Sequence, residues 1–111
     1  MTPFAVILVT CGSRREARRI ARSLVDRRLA ACVNILTARV ESIYRWKQRT
    51  ESAKEFLLVI KTSRRRFAAL RREIERLHSY EVPEIIALPI SAGSPQYLRW
   101  LEESVRKKPR A

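Results

Sequence analysis

The residues best suited to chemistry in this 111-residue chain are few: one histidine, His78, and two cysteines, Cys11 and Cys32. A thiol and an imidazole are soft and borderline ligands that suit copper or zinc better than magnesium or calcium, and a carboxylate such as Glu84 would complete a three-donor site with an open position. A closed tetrahedral zinc site takes four Cys or His ligands, and the chain owns three. Such a site is excluded within one chain. Cys11 with His78 also reads as a nucleophile and its base, but no orienting third group accompanies them, and the chain has only two glycines to build an anion-cradling loop. Catalysis is not expected.

Whether these residues meet depends on the elements that carry them. The run FAVILVT at 4–10 is apolar and rich in β-branched residues, as a strand buried on both faces requires. Gly12 and Ser13 break it, and Ser13 with Glu16 has the spacing of a capping box. Ala17, Ile20, Ala21, Leu24 and Val25 then recur at helical spacing, which predicts a helix from Ser13 to about Arg28. A second strand is expected to run from Ala30 through Trp46, roughly 14 residues of it extended against a usual length of five or six. The polar stretch 47–54 reads as a connection to a third strand over 55–62, making a hairpin. Phe67, Leu70, Ile74 and Leu77 mark a second helix over about 64–78, and 84–89 is a short edge strand ending in proline. Ser94 before Pro95 starts a terminal helix lined by Tyr97, Leu98, Leu101 and Val105.

The order is β-α-β-β-α-β plus a helix, a single ferredoxin-like α+β domain over 1–111 with an antiparallel sheet and an extended hairpin. Right-handed crossovers set strand three between strands one and two, and strand four on the other side of strand one. Cys11 and Cys32 then occupy opposite rims roughly 20 Å apart, beyond the ~7 Å limit for a disulfide. The same layout brings Cys11, His78 and Glu84 to one edge. Each also has a plain structural reading: a buried thiol at a strand end, an imidazole complementing a helix C-terminus, and a solvated edge carboxylate.

Lys and Arg number 24 against 11 Asp and Glu, a formal charge of +13. That charge suits non-specific contact with phosphate backbones, and a basic nucleic-acid-binding module of ferredoxin-like fold is the alternative function. Against it, the basic residues are scattered, as on an ordinary solvated surface, and the central strands offer only Phe4 and Phe56 where RNA-recognition sheets stack bases on paired aromatics. The basic stretch at about 106–111 is expected to fray. No signal-peptide pattern or membrane-length apolar run appears, and the cysteine usage agrees with a cytoplasmic location.

An over-long hairpin leaves unpaired backbone groups and apolar side chains such as Ile43, Tyr44 and Trp46 in water. Pairing with a second copy in a closed ring satisfies them, and folding back over its own domain is the other solution. Tyr44, Trp46, Tyr80 and Trp100 would then line either a ligand cleft or a packed interface between subunits.

Several segments together resemble the CutA divalent-cation tolerance family: RLAACVNI at 28–35, SIYRW at 42–46, Glu51 and Glu55 leading into LVIKT at 58–62, HSYEVPEI at 78–85, and YLRWL at 97–101. The resemblance runs from about Phe4 to Val105. It implies a ferredoxin-like protomer in a tight homotrimer similar in architecture to the PII signalling proteins, without catalytic activity or a required cofactor, linked to copper tolerance and to binding of copper(II) or other divalent ions. The family's metal-binding cysteine, histidine and glutamate fall on Cys11, His78 and Glu84. Two positions depart from the pattern. Ser79 stands where the family commonly has proline, and Gln48 where it commonly has a glycine suited to positive φ.

Overall fold

The computed structural model describes residues 1–107. Its elements are β1 (Phe4–Cys11), α1 (Arg14–Asp26), β2 (Cys32–Ile35), β3 (Val40–Trp46), β4 (Arg49–Ser63), α2 (Phe67–Leu77, entered through a 3-10 turn at Arg64–Arg66), β5 (Ile85–Pro89) and α3 (Pro95–Val105). The sheet order is β2-β4-β1-β5 with every neighbouring pair antiparallel, the ferredoxin-like arrangement expected from the sequence. Residues 108–111, most of the basic tail expected to fray, lie outside the described residues. No described helix is long and apolar enough to cross a membrane.

The apolar alternation explains the layering. Ala5, Ile7, Val9 and Cys11 of β1 and Phe56, Leu58 and Ile60 of β4 point to one face of the sheet. There they meet Ala17, Ile20 and Leu24 of α1 and Leu70, Ile74 and Leu77 of α2, and most of these side chains are wholly buried. Burial of this apolar area from water is what holds the two layers together. A smaller cluster of Phe4, Ala31, Leu101 and Val105 docks α3 beside the other end of the sheet. The remaining part of the second face carries Val6, Leu8, Leu57, Val59, Ile86 and Leu88, none of them fully buried. Ile86 and Leu88 are 48% and 47% exposed.

The hairpin departs from expectation in two ways. The expected single strand from Ala30 to Trp46 is two strands, and the long one is its partner β4, with 15 residues. Ile35 pairs with Leu58 and Val40 with Glu55, so four residues, 36–39, face only Phe56 and Leu57. The excess pair must leave the ladder, as in a bulge. Arg39, within that excess, sets its guanidinium over the Phe56 ring at 5.3 Å. The polar stretch 47–54 is mostly strand rather than connection. Among the described residues no layer covers either face of the arm, so nothing there imposes an apolar alternation on it. The turn itself is Lys47 and Gln48, both left-handed with φ of 50° and 68°, as a two-residue hairpin of type I′ requires.

Candidate functional site

One rim of the sheet gathers the candidate chemistry. Cys11 ends β1, Ser13 caps α1, Glu16 lies in that helix's first turn and His78 follows α2. Sγ of Cys11, a carboxylate oxygen of Glu16 and a ring nitrogen of His78 lie within 4.8 Å of one another. The expected capping box is half formed. Ser13 Oγ accepts from the Glu16 N–H at 3.2 Å, but the Glu16 carboxylate reaches away and accepts from the Ser79 N–H at 3.3 Å. Glu16 thereby ties the start of α1 to the loop after α2.

The imidazole is held on both sides. The Tyr80 N–H donates to Nδ1 at 3.1 Å, so Nδ1 offers its lone pair there, and Nε2–H donates to the Thr10 carbonyl at 2.8 Å. Glu16 Oε1 stands 3.3 Å from the same Nδ1. Cys11 is wholly buried. Burial first, then the nearby Glu16 and Glu55 carboxylates, push its thiol up to about 12. At neutral pH the thiol keeps its proton, and a cation that takes this sulfur must displace it. The donor set of S, N and O fits a soft or borderline divalent ion.

Glu84 reaches this rim, as expected, but on the other face. Val9 pairs with Ile85, so continuing the register one step sets Glu84 opposite Thr10, whose side chain points away from that of Cys11. Glu84 is exposed and lines a cleft there. The carboxylate that converges on Cys11 and His78 is Glu16, whose spacing from Ser13 in the sequence signals only a helix cap.

The cleft is a cavity of about 750 Å³ between the base of the hairpin and the loop leading into β5. Tyr44, Trp46 and Tyr80 line it, three of the four aromatics expected to share a cleft. Trp100 does not. It packs against Tyr97 on α3, with ring centroids 5.4 Å apart. Tyr80 leans over Gly12, where a Cβ would come within 3.2 Å of its hydroxyl, and donates that hydroxyl to Glu55 at 2.8 Å. Burial, and then the Glu55 carboxylate it serves, raise the Tyr80 phenol above its ordinary range. Cys32 and Cys11 are both free thiols, as their separate rims require.

Comparison with known proteins decides the family. The profile for "CutA1 divalent ion tolerance protein" matches residues 5–104. The chain belongs to the CutA1 family. Among CutA relatives, the divalent-cation tolerance protein CutA of Thermus thermophilus is 48% identical over 99 residues, covering 89% of this chain and 95% of that protein. The chloroplastic CutA of Arabidopsis thaliana is 43% identical over 104 residues, 94% of this chain, but the match spans only 57% of its length. This CutA1-family chain also superposes on the solved periplasmic divalent cation tolerance protein CutA from Archaeoglobus fulgidus with a TM-score of 0.89 and 40% identity, covering 93% of this chain and 99% of that one. The family's description names a tolerance and no reaction.

Proposed function

We propose that this CutA1-family chain is a homotrimeric divalent-cation-binding protein that works by binding rather than turnover, an ion-responsive module of PII-like architecture. The observation that carries the cation reading is the convergence of Cys11, Glu16 and His78 donor atoms within 4.8 Å. Copper(II) fits this set best, because thiolate and imidazole are ligands for which it outcompetes the other divalent ions. Taking the thiol expels its proton, so apparent affinity rises with pH by up to about tenfold per unit. Nδ1 of His78 becomes a ligand by giving up the Tyr80 N–H, which couples the loop after α2 to cation uptake.

Support for assembly comes from the uncovered half of the sheet. Ile86 and Leu88 on β5, with Ile43 at 70% exposed on the arm, are costly to leave in water. A closed ring of three copies removes both this apolar face and the free edges of β5 and β3. The nucleic-acid alternative finds less support. Phe4 and Phe56, the aromatics on the central strands, are 6% and 5% exposed and face α3 and the helix layer, so neither offers a ring for stacking.

Titration with copper(II) against a competing chelator tests the proposal, with native mass measured in parallel. Micromolar binding lost in Cys11→Ser and weakened in His78→Ala is expected, on a species of three chains. Binding that both variants leave unchanged would overturn the site, and a compact monomer at micromolar concentration would overturn the assembly.

A further inference from the structure

Basic residues that look scattered along the chain are gathered by the fold onto the helix layer. Five of the 13 residues of α1 are arginine, Arg14, Arg15, Arg18, Arg19 and Arg22, and all five are exposed. The buried side of α1 is Ala17, Ile20 and Leu24, so at helical spacing these arginines form one stripe along the opposite, outer side. Arg72 of α2 is exposed in the same layer. Every cation of both helices is an arginine. The lysines, at 47, 54, 61, 107 and 108, all lie elsewhere in the chain.

The stripe lacks partners of its own. Among the described residues the arginines in ion pairs are Arg27, Arg65, Arg71 and Arg76, and none of the five on the stripe is among them. Arg14 leans over the Phe56 ring at 5.9 Å. Arg14 with Arg18, Arg18 with Arg22 and Arg15 with Arg19 are like charges four residues apart, which repel across a helix turn. Arg14 and Arg15 also stand in the first turn, where the helix macrodipole disfavours cations. Glu16, the acid of that turn, reaches away to the Ser79 N–H at the rim. An anion lying along the stripe relieves all of these repulsions together. The closed ring proposed above covers the second face of the sheet and the edges of β3 and β5, so it leaves the helix layer to solvent; the inference rests on that reading only for this exposure.

The chemistry of the stripe selects the anion. A guanidinium presents a planar fork that matches phosphate oxygens in pairs. Arg14 to Arg22 spans about 12 Å at 1.5 Å per residue, a length over which a nucleic-acid duplex presents about seven phosphates. Surfaces for single strands stack bases on aromatic rings, and α1 has no aromatic residue. Helices that lie on a bilayer insert their apolar side, but Ala17, Ile20 and Leu24 are wholly buried in the core. We propose that the arginine stripe of α1 binds the phosphate backbone of a double-stranded nucleic acid, at a surface separate from the cation site. The formal charge of +13 steers such a polyanion toward the protein, and the stripe is where it is held.

Fluorescence anisotropy of a short labelled DNA duplex, titrated with the full chain over a series of salt concentrations, tests it. Saturable binding is expected at about 50 mM salt, with the logarithm of affinity falling against that of salt at a slope of about −4 to −5, near one released counterion per arginine of the stripe. Arg18→Gln combined with Arg22→Gln keeps good helix formers at exposed positions. It lowers the steepness of that slope by about two and weakens binding at least about tenfold at the same salt. Arg99→Gln combined with Lys107→Gln removes the same charge at exposed positions outside the helix layer, and leaves slope and affinity near those of wild type. Copper(II) titration and native mass of both double variants match wild type, so failure of the cation site or of the assembly is read apart from failure of this surface. No binding of the duplex at about 50 mM salt, an unchanged slope in the α1 variant, or equal weakening by the two double variants would overturn the proposal. Binding to phosphatidylserine vesicles with none to the duplex would also overturn it, and would assign the face to a membrane surface.

Discussion

Replacing Glu73 by glutamine removes the charge at the junction of the two long helices and leaves the shape. Glu73 on α2 is 7% exposed. Its carboxylate accepts from Arg76 Nε at 2.9 Å and Nη2 at 2.8 Å and from the Ser23 hydroxyl of α1, with Arg27 Nε 3.4 Å away. The Arg76 hydrogen bonds first, then the Ser23 bond and the Arg27 charge, hold this carboxyl down at about 2 against an ordinary 4.5, outweighing its own burial. At 1.36 kcal/mol per tenfold, that gap corresponds to roughly 3 kcal/mol. The Arg27 and Arg76 side chains are 60% and 56% exposed, so water screens much of the attraction, and about 1.5–2 kcal/mol is the expected contribution. The folded carboxyl binds its proton less readily than the unfolded one, so the contribution is whole above pH 4.5 and drains away as pH falls toward about 2. Chemical denaturation of wild type and Glu73→Gln, at one protomer concentration because assembly and folding are linked, measures it. The variant is expected to be less stable by about 1.5–2 kcal/mol at pH 7, with the two curves meeting near pH 2–3. A gap of the same size at pH 3 and pH 7 would refute the electrostatic account and assign the loss to packing.

Two further substitutions test the fold's other supports. Gln48→Gly relieves a left-handed residue, φ 68°, at the hairpin turn, and a gain of about 0.5–1 kcal/mol in denaturation free energy is expected; a loss would mean that the Gln48 side chain holds the arm. Leu101→Ala empties the wholly buried position that seats α3 against Phe4 and Ala31, and should cost about 2–4 kcal/mol, read as a lowered denaturation midpoint. A change below about 0.5 kcal/mol, ordinary for a surface site, would show that α3 is not docked through this residue.

Most of the fold is written locally. The Ser13 cap, the stripes of α1 and α2, the alternation in β1 and the Ser94-Pro95 start all act within a few residues, and each element appears where its own chemistry asks for it. The hairpin was less legible because its pattern depends on what covers it. Residues 49–54 carry strand geometry without strand alternation, since none of them is buried against the core among the described residues. The excess at 36–39 was hidden for a related reason. A bulge is a mismatch between two strands, and neither strand alone records how many residues the other supplies.

The sequence points to the right rim but not to the carboxylate that meets Cys11 and His78 there, Glu16. Topology carries Cys11, His78 and Glu84 to one edge of the sheet, but it does not say which face each will point to. That depends on parity in the register, where one step reverses every side chain. Cys11 pairs with Phe56 and Val9 with Ile85, so Cys11, Phe56 and Ile85 share the helix face, whereas Thr10, Glu55 and Glu84 share the other. A carboxylate able to meet Cys11 had therefore to come from the helix layer, and Glu16, one turn into α1, is the residue that layer supplies at this rim. Parity also sorts Glu55 and Glu84 together into the cleft. Alternate residues of β1 and β4 thus divide the rim, with Cys11 and Phe56 turned toward the helix layer and Thr10 and Glu55 toward the cleft.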